Sequence, residues 1–179
     1  LDDVASDLGE VWGKREIFFD ISDWPDNAQT DEGEHVLLAV WKKLEENDVI
    51  AHPVIAFDRW DSPEYAQAIK NILDMSDLKV CLRFDIDAIR DIGLMDEVID
   101  SINGKLNFQP ESAFALLDLE DMASIAIDEI APRIIDAIGF LKSRGFSNII
   151  LAGSSMPSSV TFIPQENSSK LVTRKEFIL

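Results

Sequence analysis

The chain has 179 residues, 46% of them hydrophobic, which suits one domain with a real core. Its 34 acidic residues against 16 basic ones give a formal net charge of −18. That charge repels nucleic-acid phosphates and anionic lipid, and argues against general nucleic-acid binding. The one cysteine, Cys81, excludes an internal disulfide framework, and no apolar run reaches the roughly 18 residues that a membrane span needs. A soluble, acidic, cytoplasmic protein without a membrane partner is the expectation. The start at Leu1, without Met, reads as a processed or truncated piece.

Residues 1–13 place Val4, Leu8, Val11 and Trp12 at helical spacing, with Gly13 as the stop. Ile17 to Ile21 reads as the first strand, and Ser22 to Asn27, with Pro25, as its loop. Glu34 to Glu46 repeats Val36, Leu37, Val40, Trp41 and Leu44, an amphipathic helix. Ala51 to Phe57 is the second strand and Asp58 to Ser62 its loop. The helix from Pro63 to about Met75 takes Ser62 as N-cap.

Leu78 to Asp85 is the third strand, followed by a helix from Met95 to Leu106 broken near Gly104. Ala113 to Leu119 is the fourth strand. Ile125 to Arg144 is a long helix in which Pro132 marks a kink or a second start, and Gly145 is its C′ residue. Asn148 to Ala152 is the fifth strand, with Gly153 to Pro157 as a loop. From Ser158 to Leu179 the periodicity is weak, a weakly structured or truncated segment in which Lys170 to Leu179 begins a last helix.

The units start near Ile17, Pro53, Lys79, Phe114 and Asn148, a spacing that suits βα crossovers in a single α/β domain over residues 1–179. Two architectures compete: a partial TIM-barrel-like sheet, or a doubly wound open sheet. Alternation puts Cys81, Arg83 and Asp85 on one face of the third strand and Leu82, Phe84 and Ile86 on the other. A polar-tolerant inner face beside an apolar outer one is the barrel pattern. A complete barrel needs about 200 residues or more, so five strands make a partial barrel or a fragment of one. The expected sheet has five parallel strands in sequence order, with every helix on a common side.

Catalytic centres of barrels gather at the C-terminal strand ends. Here those ends carry Asp20 and Asp23, Asp58 and Arg59, Arg83 and Asp85, Asp118, Glu120 and Asp121, and Ser154 and Ser155. The candidate pocket is Asp20, Asp58, Arg83, Asp85, Asp118, Glu120, Ser154 and Ser155. Carboxylates converging there suit Mg²⁺ or Mn²⁺, with Asp20 and Asp118 as the ligand candidates, and Arg83 suits a phosphate or carboxylate. The bland reading is equally concrete: so acidic a chain places carboxylates at many loop starts, where Asp caps helices. His35 and His52 have no partner at ligand spacing and read as solvated or core residues. Gly153-Ser154-Ser155 reads as a simple loop or a phosphate turn. Cys81 reads as a small core residue. Trp12 and Trp41 fit helix core faces, while Trp24 and Trp60 follow strands and suit a pocket or interface rim.

The order of Ile17-Phe18-Phe19-Asp20, Pro53-Val54-Ile55, Val80-Cys81-Leu82-Arg83, Leu116-Leu117-Asp118-Leu119 and Leu151-Ala152-Gly153-Ser154-Ser155-Met156-Pro157 resembles the beta protein family of tailed phages and prophages. The later Arg174-Lys175-Glu176 is similar to that family's closing segment. The resemblance covers nearly the whole chain, although family members are about twice as long. It implies a fragment holding the middle strands of a TIM-barrel-like fold, and it implies no activity.

Two functions follow from the residues and the resemblance together. One is a phage or prophage protein that binds a small anionic ligand or a host or phage protein. The other is a metal-assisted hydrolase or lyase working through the acidic strand ends.

Overall fold

The computed structural model describes residues 2–154. The expected weak tail from Ser158, its helix over Lys170 to Leu179, and Ser155 lie outside the described residues. In chain order the elements are α1 (Asp2–Trp12), β1 (Glu16–Phe19), α2 (Val36–Glu46), β2 (Ile50–Ala56) and α3 (Pro63–Met75). They continue with β3 (Cys81–Phe84), α4 (Ile86–Arg90), α5 (Ile92–Leu106), β4 (Phe114–Asp121), α6 (Ile127–Ser143) and β5 (Asn148–Ser154).

Local chemistry sets most of these boundaries. His35 caps α2, its Nδ1 accepting the Leu37 N–H at 3.2 Å while Nε2 meets the Asp26 carbonyl at 2.8 Å. Ser62 accepts the Tyr65 N–H at the start of α3, where Pro63 fits the first turn. Gly13 (φ +63°) and Gly145 (φ +95°) close α1 and α6 in the left-handed region that suits glycine. The break expected near Gly104 is absent, since α5 runs through it, and of the two readings of Pro132 the second start is excluded, since α6 runs from Ile127 to Ser143 as one helix.

The third strand is shorter than alternation implies. Only Cys81–Phe84 pair in the sheet, because the Lys79 N–H is taken by the His52 ring at 3.2 Å instead of a ladder partner. At the other end Asp85 leaves the strand. Its carboxylate accepts the Ala88 N–H at 2.9 Å and starts α4, a short helix that the sequence pattern does not announce.

All pairings are parallel and the strand order is β1-β2-β3-β4-β5. That order has no reversal, which removes the doubly wound alternative. The register fixes the faces: Phe18 opposes His52, Val54 opposes Cys81, Ala56 opposes Arg83, and Arg83 opposes Leu116. Strands three apart in a flat sheet lie roughly 14 Å from one another. Yet the rings of Phe18 on β1 and Phe114 on β4 pack edge to face with centroids 4.8 Å apart. The sheet therefore curls into a half-barrel with Phe18, Phe114 and Arg83 on its concave side.

The convex side holds the core. Ile55, Leu82, Phe84, Ala115 and Leu117 are buried in one cluster with Leu37 and Trp41 of α2, Ile69 and Ile72 of α3, and Ile99 and Ile102 of α5. Each such aliphatic or aromatic side chain contributes about 1.5–3 kcal/mol on burial, so this layer dominates the stability. Tyr65 crosses from α3 to the sheet, its hydroxyl donating to the Val54 carbonyl at 2.8 Å and accepting the Ala56 N–H at 3.1 Å. Trp12 departs from the expected helix core face, whereas Trp60 lines a pocket with Pro63 and Lys105. Trp60 is buried, with Nε1 donating to Ser101 Oγ at 3.2 Å. Trp12 stands partly exposed under the Arg15 guanidinium.

His52 is buried on the concave side, with Nδ1 accepting from Lys79 and Nε2 3.5 Å from Glu16 Oε2. That arrangement requires the neutral ring. Burial pushes the pKa down, against the pull of Glu16. Below the ordinary histidine value near 6.5 the unfolded chain takes up a proton that folded His52 resists, so stability falls as pH falls through that window. Denaturant midpoints measured from neutral to mildly acidic pH should show this loss in the parent, with a shallower slope in His52→Gln. An identical slope in the two proteins would contradict the assignment.

Candidate functional site

The C-terminal ends of β1 to β4 carry the charged cluster. Arg83 projects from β3 into the concave side, the one cation on that strand. Its Nη1 lies 3.2 Å from Asp20 Oδ2, one residue past β1, and 3.9 Å from Asp118 Oδ2 on β4. Its Nη2 lies 3.9 Å from Asp58 Oδ1, in the single 3₁₀ turn Phe57–Arg59 after β2. Three carboxylates from three neighbouring units thus surround one guanidinium, as the curl dictates.

These pairs are not equal. Asp58 is 58% exposed, so its pair is worth no more than about 1 kcal/mol. The Asp20 and Arg83 side chains are only 19% and 20% exposed, and they are the closest pair. Asp20 Oδ1 is buried without a hydrogen-bond partner among the described residues. Burial raises the Asp20 pKa above the ordinary carboxylate value. Arg83 is the main opposing influence, with smaller ones from the Ile21 N–H and Arg59, while Asp58 adds to the rise. Desolvation therefore outweighs the ion pair here.

Arg83 itself takes part in no hydrogen bond among the described residues; its contacts are the ion pairs alone. Arg59 behaves otherwise. Its guanidinium donates to the Ile21 carbonyl at 2.9 Å and to the Ser22 carbonyl, fastening the loop after β1 to the turn after β2.

The end of β4 is irregular at this point. The register with β5 shifts between Asp118 and Asp121, and Glu120 takes a left-handed backbone at φ +51°. Asp118 Oδ1 accepts the Glu120 N–H at 3.0 Å, which leaves Oδ2 toward Arg83. Bulges and left-handed non-glycine residues are concentrated at functional sites, because each carries a local cost that packing alone rarely justifies.

Of the candidate residues, Asp20, Asp58, Arg83 and Asp118 are brought together. Asp85 is not, since its carboxylate caps α4. Glu120 is exposed, and its backbone rather than its carboxylate serves the turn. Ser154 ends β5 opposite Asp121, beyond the bulge, and Gly153 belongs to the strand rather than to a phosphate turn. A side chain at Gly153 would meet Met122 Sδ at 2.8 Å and Leu119 Cβ at 3.0 Å, which explains the glycine by packing. Ser155 lies outside the described residues.

Two partners escaped the sequence reading. Arg59 stood among the strand-end residues but not in the pocket. Tyr65 left only one signal, a lone tyrosine on an otherwise apolar helix face.

No group of three or more His, Cys, Asp or Glu side chains among the described residues is placed to hold a metal ion. The Arg83 guanidinium stands where the three carboxylates point, so Asp20 and Asp118 do not fit the Mg²⁺ or Mn²⁺ expectation. Cys81 is buried on β3, and burial pushes its thiol up to about 12, which keeps it protonated and unreactive.

A concave sheet of five parallel strands in sequence order, with a charged mouth at the strand ends, defines a parallel βα half-barrel protein. No helix among the described residues is long and apolar enough to cross a membrane. The chain belongs to the Beta protein family, whose model matches residues 1–179. No curated protein and no solved structure matches it.

Replacing Arg83 by Met keeps most of the stem and removes the charge. It should cost about 3 kcal/mol at neutral pH, because Asp20 is left as a buried anion. Without Arg83 the Asp20 pKa rises further, so the folded variant binds a proton that the unfolded chain does not. The variant should therefore regain stability as pH falls toward the ordinary Asp value of about 3.9. Denaturant melts across that range check both points. A midpoint loss of less than about 1 kcal/mol at every pH would place Arg83 in solvent.

Proposed function

We propose that the half-barrel mouth binds a small anionic ligand at Arg83, in the phage or prophage setting that the family resemblance implies, and that its work is binding rather than catalysis. The observation that carries this reading is the free hydrogen-bonding capacity of Arg83. A guanidinium has five N–H donors in a fixed fork, and here none makes a hydrogen bond among the described residues. Two of its three carboxylate contacts are 3.9 Å long, beyond hydrogen-bond reach. A planar fork held at the mouth of a parallel sheet, with donors to spare, suits bidentate capture of a carboxylate or phosphate.

The surrounding Asp20, Asp58 and Asp118 disfavour a polyanion, whose many charges they would all repel. The hydrolase or lyase reading finds less support, since the carboxylates face a guanidinium and the thiol of Cys81 is protonated. A host or phage protein as partner rests on the net charge of −18, which suits a basic surface and names no patch.

Sulfate is a fitting probe, since it carries its charge without titrating. Sulfate should give a saturable shift of the backbone amide resonances of β3 from Leu82 to Phe84, absent in Arg83→Met. A linear, unsaturated drift that is the same in both proteins would mean general ionic screening and no site.

A further inference from the structure

We propose that anion binding at Arg83 is coupled to proton uptake by Asp20, so that the mouth is an acid-favoured anion site. The inference rests on the anion-binding reading above and adds its regulation. Its basis is geometric. Asp20 Oδ2, at 3.2 Å, is the nearest anion to Arg83, so an anion that takes the free donors of the fork comes to lie close to it.

Arg83 is the main support of the Asp20 charge, with the Ile21 N–H and Arg59 giving less. Asp20 Oδ1 is already buried with no hydrogen-bond partner among the described residues, and the side chain is only 19% exposed. Once the ligand neutralises Arg83, the Asp20 carboxylate would sit buried beside a second anion. Two like charges in one partly dry site cannot both stay ionised, and the cheaper change is for the carboxylate to take a proton from solvent. The protonated acid then gains an O–H donor that the ligand oxygen can accept.

Asp20 is the least exposed of the three carboxylates and the one nearest to Arg83. Arg83 of β3 and Arg59 after β2 are permanently charged. Tyr65 of α3 and Cys81 of β3 both have pKa values raised by burial and stay neutral through the acidic and neutral range. Asp58 and Asp118 touch Arg83 at 3.9 Å, and their carboxylates are more exposed than that of Asp20. Burial already holds the Asp20 pKa above its ordinary value before any ligand arrives, the same direction in which a second anion beside it would push.

Calorimetric titration of the full chain with sulfate, in two cationic buffers of different ionisation enthalpy, counts the protons directly. The expected result is uptake of up to one proton per sulfate, with affinity rising up to about tenfold for each unit fall in pH. Asp20→Asn should bind sulfate more tightly than the parent near neutral pH, with affinity changing less than about twofold per unit. Saturable binding with the same heat in both buffers and no pH dependence would overturn the coupling and leave the anion site standing. Absence of saturable binding in both proteins at every pH would overturn both. Should Asp20→Asn fail to fold, the proton count on the parent decides alone.

Discussion

A guanidinium on the inner side of a curled sheet has to be neutralised there, and the curl is what supplies the means. Arg83 on β3 reaches Asp20 after β1 and Asp118 on β4, positions that a flat sheet would hold far apart. The same curvature brings Phe18 against Phe114 one layer below. The ion cluster and the ring pair are therefore two readouts of one constraint, the bend that five parallel strands take when helices load only their convex side.

That loading separates stability from function. The convex layer is apolar and buried, from Ile55 and Leu82 through Phe84 to Leu117. The concave side of the sheet carries Glu16, His52 and Lys79 at the N-terminal ends, then Cys81, then Arg83 with its carboxylates. His52 uses its ring to hold the Lys79 backbone, and Asp20 bears a burial cost that Arg83 only partly offsets. A group kept in an unfavourable ionisation state by its surroundings is poised to respond when those surroundings change, and a ligand at Arg83 is such a change.

Much of this was legible in the residues. The period of two in Cys81-Leu82-Arg83-Phe84 separated the faces correctly, and regular unit spacing gave parallel strands in sequence order. The convergence of Asp20, Asp58, Arg83 and Asp118 follows from that alternation once the sheet curls. What sequence could not weigh was competition for a single group. Asp85 has the right parity for the pocket, but the Ala88 N–H claims its carboxylate first. Lys79 has the right parity for the ladder, but the His52 ring claims its N–H. Gly104 and Pro132 carry breaking signals that helix context overrides. Gly153 mimics a phosphate turn, while its real constraint, the closeness of Met122 and Leu119, is visible only in three dimensions.

The central claim is that Asp20 and Arg83 meet across the curl, and a double-mutant cycle measures that contact most directly. Asp20→Asn, Arg83→Met and the combined variant, each melted in denaturant at neutral pH, give the coupling free energy of the pair. The account predicts a coupling of at least about 1 kcal/mol, with the double variant far less damaged than the single losses sum to. Additivity within about 0.5 kcal/mol would mean that the two side chains do not meet, and the half-barrel mouth as described would be wrong.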